Sequence, residues 1–406
     1  MHRSLRLALL ILCAPLAAPA FDDWQCGLCA TGTLMVRLAA RARSESDEAL
    51  RWESDHFALA YTTNAGPDQA TLNYVTSAAA YLEQALAFIT QTQQYRLPAN
   101  IEYRERLPVS FAYLGDRIAG VAGVADSNRS YIIIGTAIAT QTNHPLDMLL
   151  STTCAHELFH TVQFRYQGGQ ALWWTEGTAV WMENRVFPAA QTYTRIENRV
   201  PAFFAQPNRP FQRRTYDACA LPAYLAEQKD DGLIRAIWER CQKTTALRAV
   251  QRARLKQGWG WRKMWADFGA HCYTKQFRAF DAAPGVALAG VFTNAALAPT
   301  MADTTVSNAL CHLGFNYYEI DPAALRLGGT LRVTVAAVAG KISAVLLAQN
   351  SSGAWKPWYR LGSRRARMVI RHFGSAYTRG ALIVFSAETA DTDAPVPYQY
   401  SYRIED

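Results

Sequence analysis

The chain has 406 residues and a formal net charge of +8 at pH 7; half of its residues are apolar and 18% are charged. That length exceeds one typical domain and implies two, each able to bury a sizeable core, which excludes a disordered chain. The basic residues are scattered, apart from Arg364, Arg365 and Arg367 and a run between Arg248 and Arg262. This is the pattern of a solvated surface and argues against a nucleic-acid partner.

Residues 1–20 read as a secretory signal peptide. Arg3 and Arg6 form the charged start, Leu7 to Leu16 the apolar stretch, and Ala18-Pro19-Ala20 the small-x-small cleavage site. No later stretch is long and apolar enough to span a bilayer, so a secreted or periplasmic protein is expected. Cleavage after Ala20 removes Arg3, Arg6 and Cys13, leaving a charge of +6 and seven cysteines. Export permits disulfides. The expected pairs are Cys26 with Cys29, Cys219 with Cys241 and Cys272 with Cys311, with Cys154 as the free thiol. Residues 21–45 form an irregular lead or a pro-segment.

The first domain is expected over 46–282. His56 to Thr62 alternates Phe57, Leu59 and Tyr61, as a half-buried strand does. A long helix follows from Asp68 to Tyr95, with Leu72, Val75, Ala79, Leu82, Leu86 and Ile89 in steps of three and four. Pro108 to Leu114 is a second strand. Gly120 to Ser130 reads as a Gly- and Ala-rich loop, and Tyr131 to Ile134 as a short apolar strand. A helix then starts near Asn143-His144-Pro145, with Asn143 as its cap.

That helix carries His156-Glu157-Leu-Phe-His160. Residues four apart share a helix face, so both imidazoles can reach one metal ion. Glu157 is placed to take a proton from a water on that metal. Catalytic zinc wants three protein ligands and an open position. The third is sought in Trp173-Trp174-Thr-Glu176-Gly177-Thr-Ala179, on a second helix (Ala171 to Asn184) after the Gly168-Gly169 turn. Glu176 lies sixteen residues past His160, and two antiparallel helices would return it over the histidines. The small Gly177 and Ala179 would let the two helices approach. Gln163 shares the histidine face, either to hydrogen-bond a ligand or substrate or as a surface glutamine. Glu183 would either orient a liganding histidine through its other ring nitrogen or pair with Arg185 or another surface arginine. Trp173, Trp174 and Trp181 are read as core.

His-Glu-x-x-His followed by Trp-x-x-Glu-Gly-x-Ala resembles the gluzincin zinc metallopeptidases, the thermolysin-like and aminopeptidase-like group. The motifs cover about 30 residues. A weaker resemblance, to secreted bacterial members, extends over most of the chain. Gln163 and Tyr166 stand where the metzincin pattern needs Gly and His, which excludes that alternative. The resemblance implies an α+β, thermolysin-like domain of a small sheet plus helices. It implies one catalytic Zn²⁺ on His156, His160 and Glu176, with Glu157 as general base and a peptide or protein as substrate. An edge strand before the metal helix would pair with the substrate backbone, here Tyr131, Ile132, Ile133, Ile134 and Gly135; an ordinary inner strand is the alternative. A tyrosine downstream of the glutamate ligand would hold the oxyanion. Tyr216 is the candidate and Tyr224 the reserve, although Ala218-Cys219 replaces the Lys-Gly that follows this tyrosine in the relatives.

Leu221 to Gln228, Gly232 to Cys241, Ala246 to Lys256 and Trp261 to Tyr273 read as helices. Residues 283–310, rich in Ala, Pro and Thr, are expected as a linker. From 311 to 406 the pattern turns to period two. Asn316 to Ile320, Thr330 to Val338, Ile342 to Ala348, Trp355 to Tyr359, Arg367 to Phe373, Ala381 to Ser386 and Tyr398 to Ile404 form seven short strands, an antiparallel β-sandwich. Two functions fit: an exported zinc peptidase, or a catalytically silent zinc-containing protein that binds a surface through the sandwich. The oligomeric state is left open.

Overall fold

Phe57, Leu59 and Tyr61 alternate with less buried neighbours because one face of their strand lies on the core. In the computed structural model, which describes residues 50–115, 118–125, 129–138, 144–253, 260–280, 293–297, 304–320, 329–387 and 395–405, helices and strands combine into an α+β architecture with three sheets. The expected signal peptide, the lead and Asn143 lie outside the described residues, as do Cys26 and Cys29.

The first sheet holds β1 (Leu50–Glu53), β2 (Phe57–Tyr61), β3 (Leu107–Ala112), β4 (Gly120–Val124) and β5 (Ser130–Gly135) in the order β1-β2-β3-β5-β4. β2, β3 and β5 run parallel; β1 and β4 are antiparallel to their neighbours. β5 is therefore an inner strand, and the expected edge over Tyr131 to Gly135 is not one. The edge is β4, inside the stretch expected to be a loop. Ile132 and Ile134 face the helices, while Ile133 joins Leu114, Ile118 and Val121 on the other face.

The long helix is shorter than its apolar stripe implies. α1 (Leu72–Ala87) starts where Thr71 accepts a hydrogen bond from the Tyr74 amide, and a π-helical turn (Phe88–Thr92) ends it. α1 packs on β2 and against α2 (Leu146–Gln163), which also lies on β4 and β5. The N-cap of α2 is Pro145. α3 (Leu172–Val186) packs on α2. Then come α4 (Ala220–Gln228), α5 (Gly232–Cys241), α6 (Ala246–Gln251) and α7 (Trp261–Thr274). Among the described residues no helix is long and apolar enough to cross a membrane.

All seven expected sandwich strands are present: β8 (Phe315–Ile320), β9 (Thr330–Ala337), β10 (Ile342–Asn350), β11 (Trp355–Ser363), β12 (Arg365–Ile370), β13 (Tyr377–Phe385) and β14 (Val396–Glu405). The expected linker adds β6 (Ala295–Leu297) and β7 (Thr304–Leu310). β7 escapes a period-two reading because it is an outer strand of Thr, Ser and Asn with mostly exposed positions. β6 pairs parallel to β8, so the sandwich is not wholly antiparallel. Its sheets run β11-β10-β13-β8-β6 and β12-β9-β14-β7.

The five-stranded sheet is buried on both faces. Val345, Leu347, Ile383 and Phe385 join the core of the helices, whereas Leu346, Leu382 and Val384 join the core between the two sheets. Phe315 marks the seam. It stacks on Trp265 with centroids 5.4 Å apart, and a Cβ at Gly269 would come within 2.5 Å of its ring.

Among the described residues the expected disulfides Cys219–Cys241 and Cys272–Cys311 are not formed: Cys154, Cys219, Cys241 and Cys272 are buried free thiols, and Cys311 is half-buried. Each buried thiol packs as a small hydrophobe, and burial pushes those of Cys219 and Cys272 up. Cys154 is free, as expected.

The shared seam has a measurable consequence. Phe315→Ala should cost about 3–5 kcal/mol. Urea unfolding should remain one transition, moved to lower urea as a whole. Separate transitions for helices and sandwich would contradict the shared core.

Candidate metal centre

α2 is buried on every side from Met148 to Gln163. Its polar side chains therefore need partners inside the protein. α3 supplies them. His156, His160 and Glu176 each bring one ligand atom, all within 4.8 Å of one another, and all three residues are buried. Glu176 Oε2 lies 3.2 Å from His156 Nε2 and 3.6 Å from His160 Nε2.

The far side of each ring fixes which nitrogen faces this point. His156 Nδ1 is 2.6 Å from Glu183 Oε1. An ionised carboxylate only accepts, so Nδ1 carries the hydrogen and Nε2 offers a lone pair. His160 Nδ1 is 2.8 Å from Gln163 Oε1. The Gln163 amide donates to the Thr175 carbonyl at 2.9 Å and to Thr178 Oγ1 at 3.1 Å, so its oxygen must face His160. Gln163 is thus a buried anchor of His160 rather than a surface residue. Glu183 sits behind His156 and also accepts from Arg199 Nη2 at 3.1 Å, a buried arginine rather than the expected surface one. Arg185 pairs instead with Asp231.

Burial would discharge His156, but Glu176 and Glu183 outweigh it and push its pKa up to about 10. Burial raises the pKa of Glu157 against the pull of the two histidines. Burial would also raise that of Glu176, yet the same histidines hold it well below the usual carboxylate range. Two buried oxygens, Glu157 Oε2 and Glu176 Oε1, have no hydrogen-bond partner.

These residues fit a zinc ion. Two ring nitrogens and a carboxylate oxygen converge, and a cation would take the place of the proton between them. Zinc–ligand bonds of about 2.0–2.1 Å at tetrahedral angles separate ligand atoms by about 3.3 Å. The donor set, two imidazoles and one carboxylate, suits this metal, and each imidazole has an acceptor behind it.

Tyr216 opens a 3₁₀ turn (Tyr216–Cys219) that runs into α4. Its ring centroid is 6.0 Å from that of His156, and the Arg199 guanidinium lies 4.6 Å from the Tyr216 centroid on the ring face. Buried Arg214 holds the turn by pairing with Asp217, whose other oxygen accepts from the Thr215 amide at 3.1 Å. Gly177 lets the turn close on α3: a Cβ there would lie 3.1 Å from the Ala218 carbonyl carbon. The small residue thus serves the approach of the Tyr216 turn, not that of α2. Tyr224, the reserve, packs on Phe268 and His271 of α7. Trp173, Trp174 and Trp181 are core, as expected.

β4 passes directly beside Glu157. A Cβ on Gly120 would fall 2.6 Å from Glu157 Cγ, so only glycine allows this approach. Val121 and Ala122 are fully buried. Gly120 and Arg199 were not singled out by sequence reasoning. Two glycines in five residues hide the strand, and Arg199 reaches the site only through tertiary packing.

No protein-family model matches the chain, and no curated protein matches it. Among solved structures it is similar to the Yersinia pseudotuberculosis-derived mitogen, at 9% identity over 26% of this chain and 87% of that one, with a TM-score of 0.21. It is also similar to PliG, a periplasmic inhibitor of g-type lysozyme from Aeromonas hydrophila, at 10% identity over 28% of this chain and 100% of that one, with a TM-score of 0.20. Likenesses this slight carry no argument about the site.

The backing of His156 can be tested. Glu183→Gln removes the charge behind Nδ1 and strips Arg199 of its partner. Zinc affinity, measured by chelator competition, should fall about 10–100-fold. Unchanged affinity would mean that Glu183 does not tune the ligand.

Proposed function

We propose that this chain is an exported zinc metallopeptidase of the gluzincin kind, with the mixed sheet, α1, α2 and α3 as a thermolysin-like domain. One observation carries the reading. His156, His160 and Glu176 converge on one point, and Glu157, on the same helix turn, keeps a buried carboxylate oxygen with no partner. A purely structural metal site has no use for such a base.

Zinc held by these three residues would supply Lewis acidity, polarising a carbonyl and acidifying water. The rest falls to the chain. Glu157 takes the proton of the attacking water on its carboxylate and passes it to the leaving amine. The Tyr216 hydroxyl donates to the carbonyl oxygen as negative charge grows there. β4, the outer strand beside Glu157, offers backbone groups to an extended substrate, which makes Gly120–Val124 the pairing strand in place of Tyr131 to Gly135. His156, His160, Glu176 and most of β4 are buried, while Val124 at its end is exposed, so a substrate reaching the site would require the surrounding chain to move.

The test is a mass-spectrometric cleavage profile of a diverse peptide mixture, with zinc content measured alongside. The parent should cut. Glu157→Gln should retain zinc and lose cleavage by about 10²–10⁴-fold. His156→Ala and Glu176→Ala should lose zinc itself. Equal cleavage by parent and Glu157→Gln overturns the mechanism. A zinc-loaded parent that makes no cuts overturns the peptide as substrate.

A further inference from the structure

The arginine run at 364–367 has no part in the metal centre. Arg365 and Arg367 stand on β12, the outer strand of the four-stranded sheet, and both are exposed. Arg364 and Arg371 flank the strand, and Arg360 reaches it from β11 by donating to the Arg367 carbonyl. None of these five arginines has an ion pair among the described residues. The described acids of the sandwich are engaged elsewhere: Glu319 with Arg379 and Tyr273, Glu405 with Arg332 and Arg403. Five like charges in twelve residues repel one another. Nothing within the described fold relieves them.

The sheet register shows what they border. Arg367 lies opposite Thr334, which lies opposite Ser401, which lies opposite Thr305. One row over, Arg365 aligns with Ala336, Gln399 and Ser307. Directly paired residues share a face, so two parallel rows run from the arginines across four strands, Thr334, Ser401 and Thr305 in one and Ala336, Gln399 and Ser307 in the other. Together they span about 14 Å across the sheet. The same sheet sends Tyr398, Tyr400 and Tyr402 inward to the core, so these rows carry no aromatic ring.

We propose that this outer face docks an acidic polysaccharide. Arginine forks grip carboxylate or sulfate groups in two-pronged fashion. Thr334, Ser401, Gln399 and Ser307 can exchange hydrogen bonds with sugar hydroxyls, and their small size keeps the strip flat enough for a ribbon of sugar rings. A single-stranded nucleic acid needs aromatic stacking platforms that these rows lack. A membrane surface calls for a bulky apolar face beside the cations, which the rows also lack. The inference is independent of the peptidase reading.

Affinity electrophoresis of the full chain tests it, in gels carrying polygalacturonate, dextran sulfate or neutral dextran. Both acidic polymers should retard the protein, and dextran should not. The double variant Arg365→Ser, Arg367→Ser should bind at least about tenfold more weakly. Ser401→Glu, which sets a carboxylate in the middle of a row, should abolish retardation through a different position. Arg240→Ser with Lys243→Ser removes the same charge at the end of α5 and should behave as the parent; thermal unfolding checks that all variants are folded. The proposal is overturned by equal retardation of parent and double variant, or by an equal loss in the α5 control. Tighter binding to oligothymidylate or to phosphatidylglycerol vesicles than to polygalacturonate would also overturn it, in favour of those partners.

Discussion

Three carboxylates, Glu157, Glu176 and Glu183, lie buried around two imidazoles between α2 and α3. Charge is costly in such an interior unless it is paired. Arg199 answers Glu183, but Glu176 retains an unpartnered oxygen and sets its other one against the Nε2 atoms of both histidines. Glu176 and Glu183 push the pKa of His156 up to about 10, so a proton there offsets part of this charge, and a cation at the point of convergence would offset more. The tension is local and severe, and the surrounding packing is arranged to hold it. α2 is walled in by α1, β4 and α3, and the second ring nitrogens are tied to Glu183 and Gln163.

The same constraint reaches the Tyr216 turn. A hydroxyl donor is useful only if it is fixed before charge develops, and a short turn is not rigid by itself. Here the turn is clamped from both ends. Asp217 is gripped by a fully buried Arg214 that stacks on Phe203, 4.4 Å from that ring's centroid. Gly177 on α3 admits the Ala218 backbone, so the helix that bears Glu176 also seats the tyrosine. Arg199 then joins Glu183 to the Tyr216 ring. α3, Glu183 and Tyr216 form one packed body.

Much of this body is legible in the sequence because it is local. Helical spacing places His156, Glu157 and His160, and a glycine turn returns Glu176. Where the chemistry depends on strands that meet through space, legibility fails. The strand beside Glu157 is Gly-Val-Ala-Gly-Val, and its two glycines, one of them required by the close approach of Glu157, erase the alternation that marks a strand. The apolar run Tyr131 to Ile134 attracts attention because an inner strand is covered on both faces, the opposite of what an edge requires. The free cysteines show a similar limit. Proximity in sequence order says nothing about which side of the core a thiol faces, and here each buried thiol is packing material. Arg199 and Arg214 look like any surface arginine until their carboxylate partners and rings are in place.

The sandwich is not a freely tethered module. Its five-stranded sheet gives one face to the helices and the other to its partner sheet, which explains the near-continuous burial along β10. The four-stranded sheet keeps an open face, and the register sets two mostly polar rows there, with arginines along one margin. Uncompensated charge thus appears twice in this fold: buried carboxylates that call for a cation, and exposed arginines that call for anions. The first is legible as a motif, because a metal ion takes its ligands from residues at fixed helical spacing. The second is spread over four strands far apart in sequence and becomes visible only once their pairing is known.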